Sequence, residues 1–149
     1  MIRKATHDDI PRIVEMAADF YATTDFAAYG CMSKQSAAGL AILCMRDGVM
    51  LVAEECCGRI VGMACLYISG CLFNVSISTA EEVAWWIEPE SRGGMLAVRM
   101  LKAIENACKE KGVDVIRMAA MKDSPRAAVA LYEKRGYSRS DTHYMRAMQ

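Results

Sequence analysis

A chain of 149 residues, 54% hydrophobic and 24% charged, has the length of one domain and enough apolar material for one core. Lysine plus arginine (18) balances aspartate plus glutamate (18) and no block of like charge occurs, which argues against nucleic acid as a partner. The seven cysteines, Cys31, Cys44, Cys56, Cys57, Cys65, Cys71 and Cys108, lack the CxxC or histidine spacing of a zinc site, so they read as reduced thiols of a cytoplasmic protein without a metal centre.

The N-terminus, Met1-Ile2-Arg3-Lys4-Ala5-Thr6-His7-Asp8-Asp9, turns polar where a signal peptide has its apolar core. No later segment approaches the roughly 20 apolar residues of a membrane span, so no membrane association is expected. Ile2 to Ala5 is a short strand candidate. Thr6, with Asp9 three residues on, can cap an amphipathic helix that carries Ile10, Ile13, Val14, Ala17 and Tyr21 on one stripe. The pattern lapses into a loop from Thr23 to Met32, after which Ser33 can cap a second helix with Ala37, Leu40, Ala41 and Cys44 inward.

Val49 to Glu54 and Arg59 to Ile68 read as strands of an antiparallel hairpin, joined through Cys56, Cys57 and Gly58. Ser69 to Ala80 is polar and reads as turn. Glu81-Glu82-Val83-Ala84-Trp85-Trp86-Ile87 resumes a strand that Pro89 ends. Met95 to Lys111 is a long helix with Ala97, Leu101, Ile104 and Cys108 on one face and Gly112 suited to its C-terminus. Val113 to Met121 is a further strand, and Ser124-Pro125 an N-cap and first-turn pair for a helix through Lys134, closed by Gly136. Tyr137 to Met148 alternates as a last strand. No repeat or linker divides the chain, so residues 1–149 form a single domain.

Strand, Arg92-Gly93-Gly94 loop and helix together present unpaired N–H groups at a positive helix end, an arrangement that suits a phosphate. Arg92 would add charge-assisted donors. On the local motif alone, a plain strand-to-helix turn with a solvated Arg92 reads equally well.

Two blocks add a resemblance. Leu131-Tyr132, Lys134 and Gly136-Tyr137 resemble the closing signature of the Gcn5-related N-acetyltransferase (GNAT) superfamily. Trp86-Ile87-Glu88-Pro89-Glu90-Ser91-Arg92-Gly93-Gly94-Met95-Leu96-Ala97 is similar to its strand, Pro-Glu turn and pyrophosphate loop. Met95 stands where that family usually has glycine, and Pro125 where a CoA-contacting asparagine is common. The Trp85-Trp86 and Arg92-Gly93-Gly94 stretches also resemble GNAT proteins encoded by bacteriophages.

The resemblance implies a mixed α/β domain with a mainly antiparallel central sheet flanked by helices, acetyl-CoA as cofactor, and direct transfer of its acetyl group to a small-molecule or peptide amine. The cofactor would lie where the strands of Trp86 and Val113 splay apart. It would touch Trp85, Trp86 and Ile87 by main chain, then Arg92, Gly93, Gly94, Met95, Leu96 and Ala97, then Ser124 and Tyr132. A homodimer is a further implication.

Within that implied reaction the amine, with a pKa near ~10.4, must lose a proton, and a strand-borne carboxylate can accept it. Glu81 lies six residues before Ile87, where the family has its base, and simple alternation puts it on the face of Val83, Trp85 and Ile87, with Glu82 opposite. Position and alternation favour Glu81 over Glu82 as the base; Glu82, a water relay and solvation of both carboxylates stay open. Tyr132, by resemblance, returns a proton to the CoA sulfur; on its own it reads as a core tyrosine. A CoA-binding module without transferase activity and a structural or interaction protein are the rival readings.

Overall fold

The computed structural model describes residues 1–122 and 124–148. Strand β1 (Ile2–Lys4) leads through a 3-10 turn at His7–Asp9 into α1 (Ile10–Ala22), and a 3-10 turn at Asp25–Ala28 precedes α2 (Lys34–Asp47). Then follow β2 (Val49–Glu54), β3 (Ile60–Cys71), β4 (Asn74–Ile87), a 3-10 turn at Pro89–Ser91, α3 (Leu96–Glu110), β5 (Val115–Arg117) and α4 (Arg126–Lys134). The strands form one five-stranded sheet in the order β1-β2-β3-β4-β5, antiparallel except for the parallel pair β4–β5.

Alternation along β2 decides the two faces. Val49, Leu51 and Ala53 pack with Ala64, Leu66, Ala80 and Ile87 against Met100, Ile104, Ala107 and Cys108 of α3. Met50 and Val52 pack with Met63, Cys65 and Ala84 against Ile13 and Met16 of α1 and Ala41 and Cys44 of α2. The sheet is thus a middle layer between two helical layers. Met16, Met63, Leu66, Met100, Leu101 and Ile104 are all but inaccessible, each contributing on the order of 1.5–3 kcal/mol by burial. Ser33 caps α2 as its position predicts, its Oγ accepting from Ser36 N–H at 3.1 Å. Asp9 closes the capping box from Thr6 N–H at 2.7 Å and also pairs with Arg3.

One irregularity reorganises β4. Cys65 pairs with Ala84 but Leu66 pairs with Glu82, so Val83 is an extra, bulged residue. Residues on the two sides of the bulge therefore alternate out of phase. Ala84 packs toward α1 and α2, whereas Ala80, also even-numbered, packs with Ile87 toward α3. The simple alternation expected for Glu81 and Glu82 is reversed by this bulge. Glu82, opposite Leu66, shares the face of Trp85 and Ile87, and Glu81, opposite Tyr67, faces the other way.

Four expected elements differ. Ser69 to Ala80 is not a turn but the continuation of the β3–β4 hairpin, whose tip is Leu72-Phe73; Val75, Ile77 and Thr79 supply β-branched side chains at every second position of β4. The expected strand Val113 to Met121 shortens to Val115–Arg117, and its ladder with β4 ends at the pair Glu81–Arg117. Residues 138–148 form no strand: all are exposed, so their alternation has no apolar surface on which to dock. The last helix starts at Arg126 with Pro125 at the cap position, while Ser124 Oγ turns back to accept from Met121 N–H at 2.9 Å.

Candidate active site

The β4–β5 ladder stops at Glu81–Arg117, which leaves an opening in the sheet pairing beside residues 82–87 of β4. Glu82 occupies the start of this opening. Its Oε2 accepts from Ala119 N–H at 3.0 Å, on the far side of the opening, and from Tyr132 Oη–H at 3.3 Å. Burial pushes the carboxyl up to about 7, against the lowering effect of these two hydrogen bonds. Tyr132, 8% exposed, is raised well above the ordinary phenol value, first by burial and then by the adjacent Glu82 charge. An acid poised near neutrality touches a phenol held protonated.

The motif Tyr132…Gly136-Tyr137 has a physical basis in the end of α4. Gly136 takes φ +90°, its N–H reaching Glu133 O at 3.0 Å, while Tyr137 N–H reaches Tyr132 O at 3.0 Å. This is a Schellman end, which brings the residue after the glycine onto the one five positions earlier. The Tyr137 and Tyr132 ring centroids are accordingly 5.7 Å apart, and Trp85 lies 6.0 Å from Tyr132 on its other flank. Tyr132 is clamped between two aromatics with its hydroxyl aimed at Glu82. The neighbouring Trp85 Nε1 is buried and has no hydrogen-bond partner among the described residues.

Past Ile87, the 3-10 turn Pro89–Ser91 leads to Arg92-Gly93-Gly94-Met95 and α3, whose first bond runs from Arg99 N–H to Met95 O at 3.0 Å. The N–H groups of the first turn, which include Leu96 and Ala97, have no intrahelical acceptor. Gly93 adopts φ +85°, and a Cβ built at Gly93 or Gly94 would meet no protein atom within 4 Å. The space before the helix is open, and the glycines keep it so. Met95, in place of the usual family glycine, sits at φ −76° as the N-cap with its side chain 65% exposed, so it leaves the loop unstrained. These features fit a pyrophosphate.

Arg92 makes two contacts within the protein itself. Its Nε donates to Ile87 O at 2.8 Å, and its guanidinium lies 4.4 Å from the Trp86 ring centroid. Trp86 Nε1 donates to Glu88 Oε2 at 3.3 Å, and Arg12 of α1 bonds Glu88 Oε1. Glu81, half exposed, accepts from Arg117 at 2.5 Å, and Arg117 also bonds Asp141 at 2.7 Å.

The structure thus brings Glu82, Trp85 and Tyr132 together, sets the Gly93-Gly94 loop at the end of the same strand, and directs Glu81 and Ser124 to other partners. Sequence reasoning missed Glu88, Arg12 and Ala119 N–H. Only Glu88 carried a signal, a glutamate between the apolar strand end and Pro89 that is 8% exposed in the fold.

The sequence model described as Acetyltransferase (GNAT) family matches residues 13–137. The chain belongs to this family. Solved structures of GNAT-type acetyltransferases share its fold. A protein from Clostridium acetobutylicum described as a predicted acetyltransferase, solved with acetyl-CoA, superposes with a TM-score of 0.73 at 20% identity, covering 99% of this chain and 95% of that one. A ribosomal-protein-alanine N-acetyltransferase from Brucella melitensis biovar Abortus 2308 gives 0.72 at 15% identity, over 99% of both chains. An aminoglycoside acetyltransferase, HMB0005, from an uncultured soil metagenomic sample gives 0.74 at 18% identity, over 100% and 98%. No curated protein matches the sequence.

Proposed function

We propose that this chain is an N-acetyltransferase that moves the acetyl group of acetyl-CoA to a primary amine by direct transfer in a ternary complex. The observation that carries the proposal is the 3.3 Å contact between Glu82 and Tyr132 inside the β4–β5 opening, on the strand that runs on to the glycine loop. Membership in the acetyltransferase family supports the same reading.

Acetyl-CoA supplies the reactive thioester when bound. The N–H groups of Gly93 to Ala97, the main chain of Trp85 to Ile87, and the space kept open by Gly93 and Gly94 are what this chain offers to hold it. Glu82, rather than the Arg117-bound Glu81, is the base, because a carboxyl near 7 takes up a proton from an amine yet is largely ionised just above neutrality. Tyr132 Oη delivers a proton at the departing sulfur. Its retention as a phenol owes part to the Glu82 charge, so protonation of Glu82 lowers that barrier at the stage when Tyr132 must act as an acid. The buried thiols of Cys44, Cys65 and Cys108 are packed in the two cores, consistent with transfer that needs no cysteine nucleophile.

A thiol-release assay with acetyl-CoA and a panel of primary amines, run beside acetyl-CoA-dependent thermal stabilisation, tests this. Release of CoA with at least one amine is expected. Stabilisation without release across the panel would instead mark a CoA-binding module, and absence of both would end the proposal.

A further inference from the structure

We infer that Glu88 is a positioning residue for the phosphate-binding loop, acting through the Trp86 indole and Arg92. This rests on the proposed CoA site and adds a residue to it. Glu88 is a nearly inaccessible carboxylate just past β4, and each of its oxygens is committed: Oε2 to Trp86 Nε1 at 3.3 Å and Oε1 to the Arg12 guanidinium. Arg12 is itself tied to the sheet, its Nε donating to Ile60 O at 3.3 Å. The Trp86 ring is consequently fixed about its long axis by an anchor that spans α1, β3 and β4.

That ring is the platform for Arg92. The guanidinium lies 4.4 Å from the ring centroid, and Arg92 Nε closes back onto Ile87 O at 2.8 Å. Arg92 immediately precedes Gly93, whose φ of +85° points the chain into α3. Glycine gives the loop the freedom to reach this conformation, but the same freedom lets it leave. The Glu88–Trp86–Arg92 relay holds the residue on the rigid side of the two glycines, so that the N–H groups beyond are already aligned before an anion arrives. Pre-alignment of this kind raises affinity by reducing what must be ordered on binding.

The consequence is selective. The relay bears on the pyrophosphate and not on Glu82 or Tyr132, which lie on the opposite face of β4. Glu88→Ala should therefore raise the Kd of CoA about 10-fold, the scale of a lost cation–π platform with its loop ordering. It should leave the Kd of pantetheine, which lacks the pyrophosphate, unchanged. In turnover the KM for acetyl-CoA should rise with little change in kcat. Calorimetric titration of wild type and variant with both ligands reads this directly. Equal CoA affinity in the two proteins would overturn the inference, as would parallel weakening of CoA and pantetheine, which would signal general loosening. Wild-type protein that binds neither ligand would overturn the CoA site itself, a separate outcome. If Glu88→Ala does not fold, Arg12→Gln removes the guanidinium that anchors Glu88, and the same CoA-selective loss is expected; its absence would also overturn the inference.

Discussion

Tyr132 Oη and Glu82 Oε2 meet at 3.3 Å although 50 residues separate them in sequence, and they join the last helix to the strand that ends at the glycine loop. Each alters the other's proton affinity. Burial raises Glu82 to about 7, the Tyr132 hydrogen bond lowers it, and the Glu82 charge helps keep Tyr132 protonated. The pH dependence of turnover follows from this mutual effect. In wild type, kcat/KM should rise with pH through about 7 as Glu82 ionises. In Tyr132→Phe the lost hydrogen bond should move that limb to higher pH, with kcat reduced about 10- to 100-fold. A pH–rate profile of both proteins checks it, and an unmoved limb with an unchanged rate would remove Tyr132 from the mechanism.

The two adjacent glutamates should separate cleanly. Glu82→Gln should lower kcat/KM by about 100-fold and abolish the limb near 7. Glu81→Gln should stay within about twofold, since an exposed ion pair with Arg117 contributes little. Stability gives an independent check. Since the folded state holds the Glu82 proton more tightly than the unfolded chain, stability falls as pH rises from the ordinary carboxyl range to about 7. Thermal unfolding at pH 5 and pH 8 should show Glu82→Gln gaining on wild type at the higher pH.

Asp9 behaves oppositely. The Arg3 guanidinium, with the Thr6 N–H and hydroxyl, holds its carboxyl down at about 2. The stabilisation is present above the ordinary carboxyl range and disappears as pH falls toward 2. Asp9→Asn should cost about 2 kcal/mol at pH 7 and nearly nothing at pH 2. Urea titrations at the two pH values measure the difference.

Gly93→Ala and Gly94→Ala should differ, although neither added Cβ meets a protein atom. At Gly93 the φ of +85° makes the backbone itself the obstacle, and a loss of about 1 kcal/mol is expected together with weaker CoA binding. Gly94 carries no such strain, so its variant should melt at or slightly above the wild-type temperature. Thermal melts with a CoA titration separate the two effects.

Much of the fold was legible because its signals are local. The Thr6–Asp9 capping box, the Ser33 cap and the apolar runs of β2 and β3 each announce themselves within a few residues. The site was legible where a local motif compels a tertiary contact: the Gly136 end of α4 throws Tyr137 back onto Tyr132 whatever the rest of the chain does. Simple alternation favoured Glu81 and assigned Glu81 and Glu82 to the wrong faces, because the bulge at Val83 is set by pairing with Cys65 and Leu66, residues far off in sequence. Glu88 and Arg12 were hidden for the same reason, as was the contact of Arg92 with Trp86, since the partners come from α1, β3 and β4. The hydroxyl-rich stretch before Glu81 read as turn because serine and asparagine favour turns in isolation. A long partner strand overrides that preference.

The bulge at Val83 works as a phase shifter within β4. Everything from Ala84 to Ile87 keeps the parity dictated by the strand's end, and everything before it is read one step out. Which face each of the two neighbouring carboxylates takes is therefore governed by a single unpaired residue: in a regular ladder Val83 would pair with Leu66 and Glu82 with Tyr67, turning Glu82 away from Tyr132. In comparing relatives, a glutamate counted back from the proline turn becomes meaningful only once the count includes the bulge.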